Sequence, residues 1–289
     1  MVNKFLTLAL FLTLLVGCGS HNKHSENSVN PQNRTVLNGT KAGPEQGQFF
    51  GPVLRMVIGN KSSCSSSYLG NGYILTAYHC IGSTIAETGS KPDLAFSSPK
   101  NPGSSNNVSE EDYEVSYPPA EKWEVTKSGD TEHKIQQPDL AMIKLKPHVS
   151  TRFANVGTAI VAGFVMEPTL SKPYIAGYGR TNMPNMGENV SGILHYGRVF
   201  INGIDNLFYH LKTTSTEYAA GLPGDSGGPL YESGVNGKVV VHGVASTLSV
   251  KKEISSGGAV PITKTVYSNR YVKMETANVQ RWLREMTSR

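Results

Sequence analysis

Hydrophobic residues in this chain fall into short runs broken by Gly, Asn, Ser and Pro, the pattern of β-strands joined by turns. Residues 51–58 (GPVLRMVI), 67–75 (SYLGNGYIL) and 139–145 (DLAMIKL) are the runs of the first half. The second half repeats the pattern at 158–162 (TAIVA), 173–179 (PYIAGYG), 193–201 (ILHYGRVFI) and 239–245 (VVVHGVA). From 88 to 117 the chain is polar and carries Pro92, Pro99 and Pro102, which reads as surface loops. The C-terminal end differs in kind: Val279, Trp282, Leu283 and Met286 stand at i, i+3, i+4 and i+7, one apolar face of a helix. The expectation is an all-β protein of two packed antiparallel barrels, roughly 36–150 and 151–274, followed by a helix over 275–287.

At the amino terminus, Lys4 precedes an apolar run from Phe5 to Val16, short of the roughly 20 residues of a spanning helix and fitting the core of an export signal. The run ends in Leu15-Val16-Gly17-Cys18, which resembles the lipobox of bacterial lipoproteins. Residues 1–17 are then the signal peptide and Cys18 the lipidated first residue. Several acyl chains, at about 0.8 kcal/mol per buried CH₂, hold a protein stably where one does not. This implies an exported protein anchored to a bacterial membrane, in the periplasm or at the cell surface. Residues 18–34 contain almost nothing able to pack in a core and read as a flexible tether. His21 and His24 in it lack further ligands, and no metal is assigned. The remaining 35–289 are expected to fold: 30 glycines, 16 prolines and 17% charged residues suit a loop-rich β protein with a substantial core. The net charge of +5 is spread without a basic run, which points away from a nucleic-acid surface.

Three stretches carry chemistry. Gly224-Asp225-Ser226-Gly227-Gly228-Pro229 sets a serine among glycines, where turns closed to larger residues are allowed and a ligand can approach the backbone. A serine hydroxyl is a weak nucleophile at neutral pH and requires a base and a group that orients the base. His79, in Leu75-Thr76-Ala77-Tyr78-His79-Cys80, is the candidate base. Asp139 is preferred over Asp93, Asp112 and Asp130 because it directly precedes an apolar strand able to bury it behind the imidazole, where a carboxylate fixes the tautomer. With these residues in the order His, Asp, Ser, and with Ala176-Gly177-Tyr178-Gly179 and Val36-Leu37-Asn38-Gly39 in support, the chain resembles the trypsin/chymotrypsin family of serine proteases over nearly everything after residue 35.

The resemblance implies two six-stranded barrels of the chymotrypsin type, with the active site between them. It implies a serine endopeptidase without cofactor, acting on proteins or peptides. His79 would take the Ser226 proton as the oxygen attacks a peptide carbonyl, and the N–H groups of Gly224 and Ser226 would receive the oxyanion. Cys64 and Cys80 match a disulfide of the family, and with Cys18 given to lipid no thiol is left over. Cleavage freeing the Val36 amine would let it pair with Asp225, which makes an activating protease a partner. A cut near 34–36 would also release the domain from its tether; the matching bond is Thr35-Val36, one residue beyond Arg34. Ala220 falls at the base of the primary pocket, Ser246 to Leu248 form the substrate-pairing edge, and Leu248 replaces a glycine that usually keeps the pocket open. A small or apolar residue before the scissile bond is expected, rather than Lys or Arg. The acidic cluster Glu110, Glu111, Asp112 and Glu114 reads as a solvated charge run rather than a calcium site. Two other classes stay open: a binding protein or adhesin on a protease scaffold, and an esterase using the same three residues.

Overall fold

In the computed structural model the described residues are 36–37, 39–42, 50–59, 62–127, 130–163, 170–179, 192–214, 218–234, 237–255 and 262–288. The export signal, Cys18 and the tether lie outside them. Among the described residues no helix is long and apolar enough to cross a membrane.

The chain runs through β1 (Thr40–Lys41), β2 (Val53–Ile58), β3 (Ser62–Gly70), β4 (Tyr73–Thr76), helix α1 (Tyr78–Thr88), β5 (Leu94–Ser98), β6 (Asn101–Val108) and β7 (Tyr113–Ser116). Then come β8 (Glu121–Lys127), β9 (Asp130–Gln136), β10 (Ala141–Leu145), the single turn α2 (Pro147–Ser150), β11 (Ala159–Val161), β12 (Tyr174–Gly177), β13 (His195–Arg198) and β14 (Ile201–Ile204). The last elements are β15 (Phe208–Thr213), β16 (Pro229–Ser233), β17 (Val239–Ser255), β18 (Ile262–Lys273) and α3 (Ala277–Thr287).

Seven strands make the first sheet, in the order β6-β5-β2-β3-β4-β10-β7. The second has nine, in the order β1-β13-β12-β16-β17-β18-β15-β14, with β11 added parallel to β17. Strands β8 and β9 form a separate hairpin. The expected architecture, two curled antiparallel sheets and a C-terminal helix, is the one observed. The sheets hold more than six strands each because strands also form where no apolar run announces them. Three of these, β5, β6 and β7, lie in the polar stretch expected to be loops. Strand β6, Asn-Pro-Gly-Ser-Ser-Asn-Asn-Val, has little β preference of its own; it is an edge strand held by its ladder with β5, and edges tolerate Pro and Gly. The boundary between the halves also differs from expectation: β1 precedes the first sheet in sequence but pairs with β13 of the second, Thr40 opposite Tyr196 and Lys41 opposite His195.

Burial explains how the sheets pack. In β2 Arg55 and Val57 alternate with buried neighbours, one face in and one face out, whereas β4 is buried at all four positions. Leu54, Met56, Ile74, Leu75, Met142 and Ile143 from the first sheet share one apolar cluster with Tyr231, Val241 and Val244 from the second. Helix α3 clamps this body as its periodicity requires, burying Val279, Trp282 and Leu283. The Thr276 side chain caps it by accepting from Val279 N, and Trp282 Nε1 donates to Ser116 Oγ at 3.0 Å on the first sheet. Tyr73 completes the clamp, its hydroxyl donating to the Met286 carbonyl at 2.8 Å.

Candidate active site

Strands β4 and β10 are antiparallel neighbours with Thr76 opposite Ala141. His79 therefore follows the end of one strand and Asp139 precedes the start of the other, which brings them to the same end of the sheet. His79 occupies the first turn of α1, a helix absent from the sequence reading because Gly82, Ser83 and Thr84 are weak helix formers. Packing supplies what propensity does not: Cys80, Ile81 and Gly82 are buried, and the disulfide expected between Cys64 and Cys80 is present, with a Cα–Cα distance of 6.2 Å. It fastens α1 to β3.

His79 Nδ1 lies 2.8 Å from Asp139 Oδ2, and the His79 backbone N–H donates to Asp139 Oδ1 at 2.8 Å. Ser246 Oγ donates to the same Oδ2 at 2.7 Å. Burial pushes the Asp139 carboxyl upward, but the hydrogen bonds and charge of His79, then the Ser246 hydroxyl, bring it below the ordinary carboxylate value. It is thus an anionic acceptor that orients the imidazole. The His79 side chain is 41% exposed, and its Nε2 lies 3.9 Å from Cys80 Sγ. Ligand atoms of Cys64, His79 and Cys80 lie within 4.8 Å of one another, but the two sulfurs are bonded together and offer no thiolate to a metal. In the acidic cluster Asp112 is committed to His148 Nε2 at 3.0 Å.

Ser226 lies in the loop before β16, stitched to the first sheet through Ser65 of β3. The Ser226 carbonyl accepts from Ser65 N at 2.8 Å. Ser65 Oγ donates to the Gly224 carbonyl at 3.1 Å and accepts from Tyr178 N at 2.9 Å. Gly227 has φ +77°, and a Cβ on it would run into Thr76 Oγ1 and the Ser65 carbonyl, so only glycine lets the loop lie on the strand end that leads to His79. The amides of Asp225, Gly227 and Gly228 donate to Leu222, Ala245 and Asp225 carbonyls, each at 2.9 Å. Those of Gly224 and Ser226 have no partner among the described residues. The Ser226 hydroxyl makes no hydrogen bond to His79 in this structure.

Asp225 is buried behind this loop. Its Oδ1 accepts from Gly179 N at 2.8 Å and its Oδ2 from Leu222 N at 2.7 Å. Side chains at Gly177 or Gly179 would collide with the carboxylate, which is the physical sense of the Ala176-Gly177-Tyr178-Gly179 motif. Burial pushes Asp225 up to about 7, with the two amides pulling the other way. Val36, also buried, carries a peptide nitrogen in the uncleaved chain, and the described partners of Asp225 are amides rather than a cation. Next to Val36, Leu37 and Ala220 exchange backbone hydrogen bonds of 2.8 and 3.2 Å.

A cavity of about 250 Å³ opens beside Ser226. Ser246 and Leu248 are among the residues that line it, and Ser246 therefore joins the cavity wall to Asp139. Ala220 does not line it: it is buried, with its backbone bridged to Leu37, whereas Gly221, Asn269 and Tyr271 are in the lining. Asn269 and Tyr271 were not legible in the sequence, because 251–270 has no counterpart motif and their role depends on the β17–β18 ladder.

Curled antiparallel sheets with a C-terminal helix, built in this way, are the chymotrypsin-like protease fold. The chain belongs to the Trypsin family, whose profile matches residues 39–269, and this makes it a trypsin-like protease with proteins or peptides as its substrate class. No curated protein matches the chain. Among solved structures it resembles a Glu endopeptidase in complex with MPD, at a TM-score of 0.52 and 17% identity, over 87% of this chain and 97% of that one. It also matches the scabies mite inactivated protease paralogue S-I1, at a TM-score of 0.49 and 15% identity, over 86% of this chain and 99% of the other. Neuropsin, a serine protease of mouse brain, matches at a TM-score of 0.47 and 16% identity, over 86% and 98%. At these identities the likeness is one of fold.

Proposed function

We propose that the protein is a serine endopeptidase in which His79, Asp139 and Ser226 form a catalytic triad working through an acyl-enzyme. The supporting observation is the hydrogen-bonded path from His79 through Asp139 to Ser246, which ends on the wall of the cavity that Ser226 lines. In this reading Ser226 Oγ attacks the peptide carbonyl carbon while His79 Nε2 takes its proton. The tetrahedral oxyanion is received by the unpartnered amides of Gly224 and Ser226, where one such donor contributes about 2.7–4 kcal/mol of barrier lowering. The C–N bond then breaks, the amine leaves with the proton from the imidazolium, and water attacks the ester by the same base. Labelling with an active-site-directed fluorophosphonate tests this: wild type is labelled and Ser226→Ala is not. Labelling that survives the substitution ends the reading, and hydrolysis of simple esters without casein turns it into an esterase.

The same proposal includes the ends of the chain that surround the domain. Export, acylation at Cys18 and a membrane-held tether follow from the lipobox-like run, and detergent-phase partitioning lost in Cys18→Ala is the expected outcome. An activating protease would free the Val36 amine to meet Asp225. N-terminal sequencing of the active form should then begin at Val36; a start at Cys18 would sink that step.

A further inference from the structure

Apart from the Asp225 carboxyl, the polar side chains that line the Ser226 cavity are neutral. Asn269 and Tyr271 stand two apart on β18 and so project from the same face; they are 5% and 2% exposed, and both line the cavity. Gly221 holds the Asn269 amide: its N–H donates to Oδ1 at 3.1 Å and its carbonyl accepts from Nδ2 at 3.2 Å. One N–H and one lone pair of that amide remain. The Tyr271 hydroxyl has no hydrogen-bond partner among the described residues. Burial, then the nearby Asp225, push this phenol far up, so it stays protonated and a donor. Neither sign of charge is matched here. Asp225 is the one carboxyl that lines the cavity, and in the active form proposed above the Val36 ammonium takes it, so a lysine entering the pocket finds no carboxylate left to pair with and a glutamate finds no cation in the lining.

We propose that this pocket takes a neutral side-chain amide, glutamine or asparagine, at the residue preceding the scissile bond. The substrate amide oxygen accepts from the Tyr271 hydroxyl and the second Asn269 N–H, and its NH₂ donates to the remaining lone pair of Asn269 Oδ1. Methionine could fill the same space against Leu222 and Leu248, but it would shut two buried polar groups away from water without partners, and sites built this way discriminate against such analogues. This replaces the small or apolar residue expected from Ala220 and Leu248, and it rests on the peptidase reading above.

The test is a series of peptide anilides identical except for Gln, Asn, Met, Glu or Lys before the anilide, hydrolysed by wild type and by Tyr271→Phe, with fluorophosphonate labelling in parallel. The better amide should exceed Met, Glu and Lys at least about fivefold in kcat/KM, and Tyr271→Phe should lower the amide value about two- to tenfold while raising the Met value, since no hydroxyl is then buried without a partner. Met, Glu or Lys equal to or better than the amides overturns the proposal, as does a Tyr271→Phe effect that is the same for every substrate. The wild-type series decides by itself if Tyr271→Phe fails to fold. A protein that is labelled but shows no amide preference loses the pocket proposal and keeps the peptidase reading; one that is not labelled loses both.

Discussion

On the first sheet, His79 is held by a covalent neighbour and a charge: the Cys64–Cys80 disulfide fixes the start of α1, and a low-lying Asp139 carboxylate takes both its backbone N–H and its Nδ1. On the second, Ser226 is held by glycines, by backbone hydrogen bonds, and by a buried Asp225 whose carboxyl is raised to about 7. One side would work as soon as it folds in an oxidising compartment. The other keeps beneath Ser226 a buried acid that is bonded to two amides and, among the described residues, to no cation, a cost that a cation placed beside it would relieve. The two sides should therefore fail under different insults.

The largest effect is expected from Asp139→Asn, which leaves the first sheet intact but presents the wrong hydrogen to Nδ1. The kcat should fall about 10⁴-fold with little change in melting temperature. Next comes pH. Asp225 rises from 3.8 to about 7 on folding, so the folded chain keeps a proton that the unfolded chain releases, and stability falls as pH rises through that window. The full cost is roughly 4 kcal/mol at about 1.4 kcal/mol per unit. Asp139, held low, works the other way and loses its contribution only in acid below the ordinary carboxylate range. Urea denaturation at pH 4.5 and 7.5 should show the loss in the uncleaved wild type, a flatter response in Asp225→Asn, and a flatter one again once Val36 carries a free amine. Replacing both Cys64 and Cys80 by Ala should cost about 3 kcal/mol, and the loss should be read mainly on the His79 side as fraying of α1 in hydrogen exchange. The smallest change belongs to Ser246→Ala, which cuts the one described side-chain hydrogen bond on Asp139 that comes from the second sheet. About 1 kcal/mol, or roughly fivefold in kcat with KM unmoved, is expected.

Much of the fold could be read from the chain because β4, β10, β12 and β17 announce themselves as apolar runs, and α3 announces itself by spacing. Helix α1 and strands β5 to β7 could not, since Gly82, Ser83 and the Asn-Pro-Gly-Ser stretch owe their conformation to burial and to neighbouring strands rather than to their own preferences. The site divides in the same way. His79, Asp139 and Ser226 stand in short local motifs that the sequence shows whole. Asn269 and Tyr271 reach the cavity only through the register of two long strands, Leu248 against Asn269 and Ala245 against Tyr271, which no local pattern encodes. Ala220, expected at the base of the pocket, is instead bridged to Leu37, and the claim of Leu37 on its backbone is likewise a long-range pairing.

That claim bears on timing. Val36 is fully covered, Leu37 is bridged to Ala220, and Thr40 and Lys41 run alongside β13, so the stretch just after the proposed cut is woven in before any cut is made. An enzyme that severs a chain must first grip it in extended form on both sides of the bond, and here the downstream grip becomes available only when the seam comes undone. With the severing enzyme in excess, the pace of conversion would be set by how often those few hydrogen bonds open. The protein itself would then keep the clock for its own release.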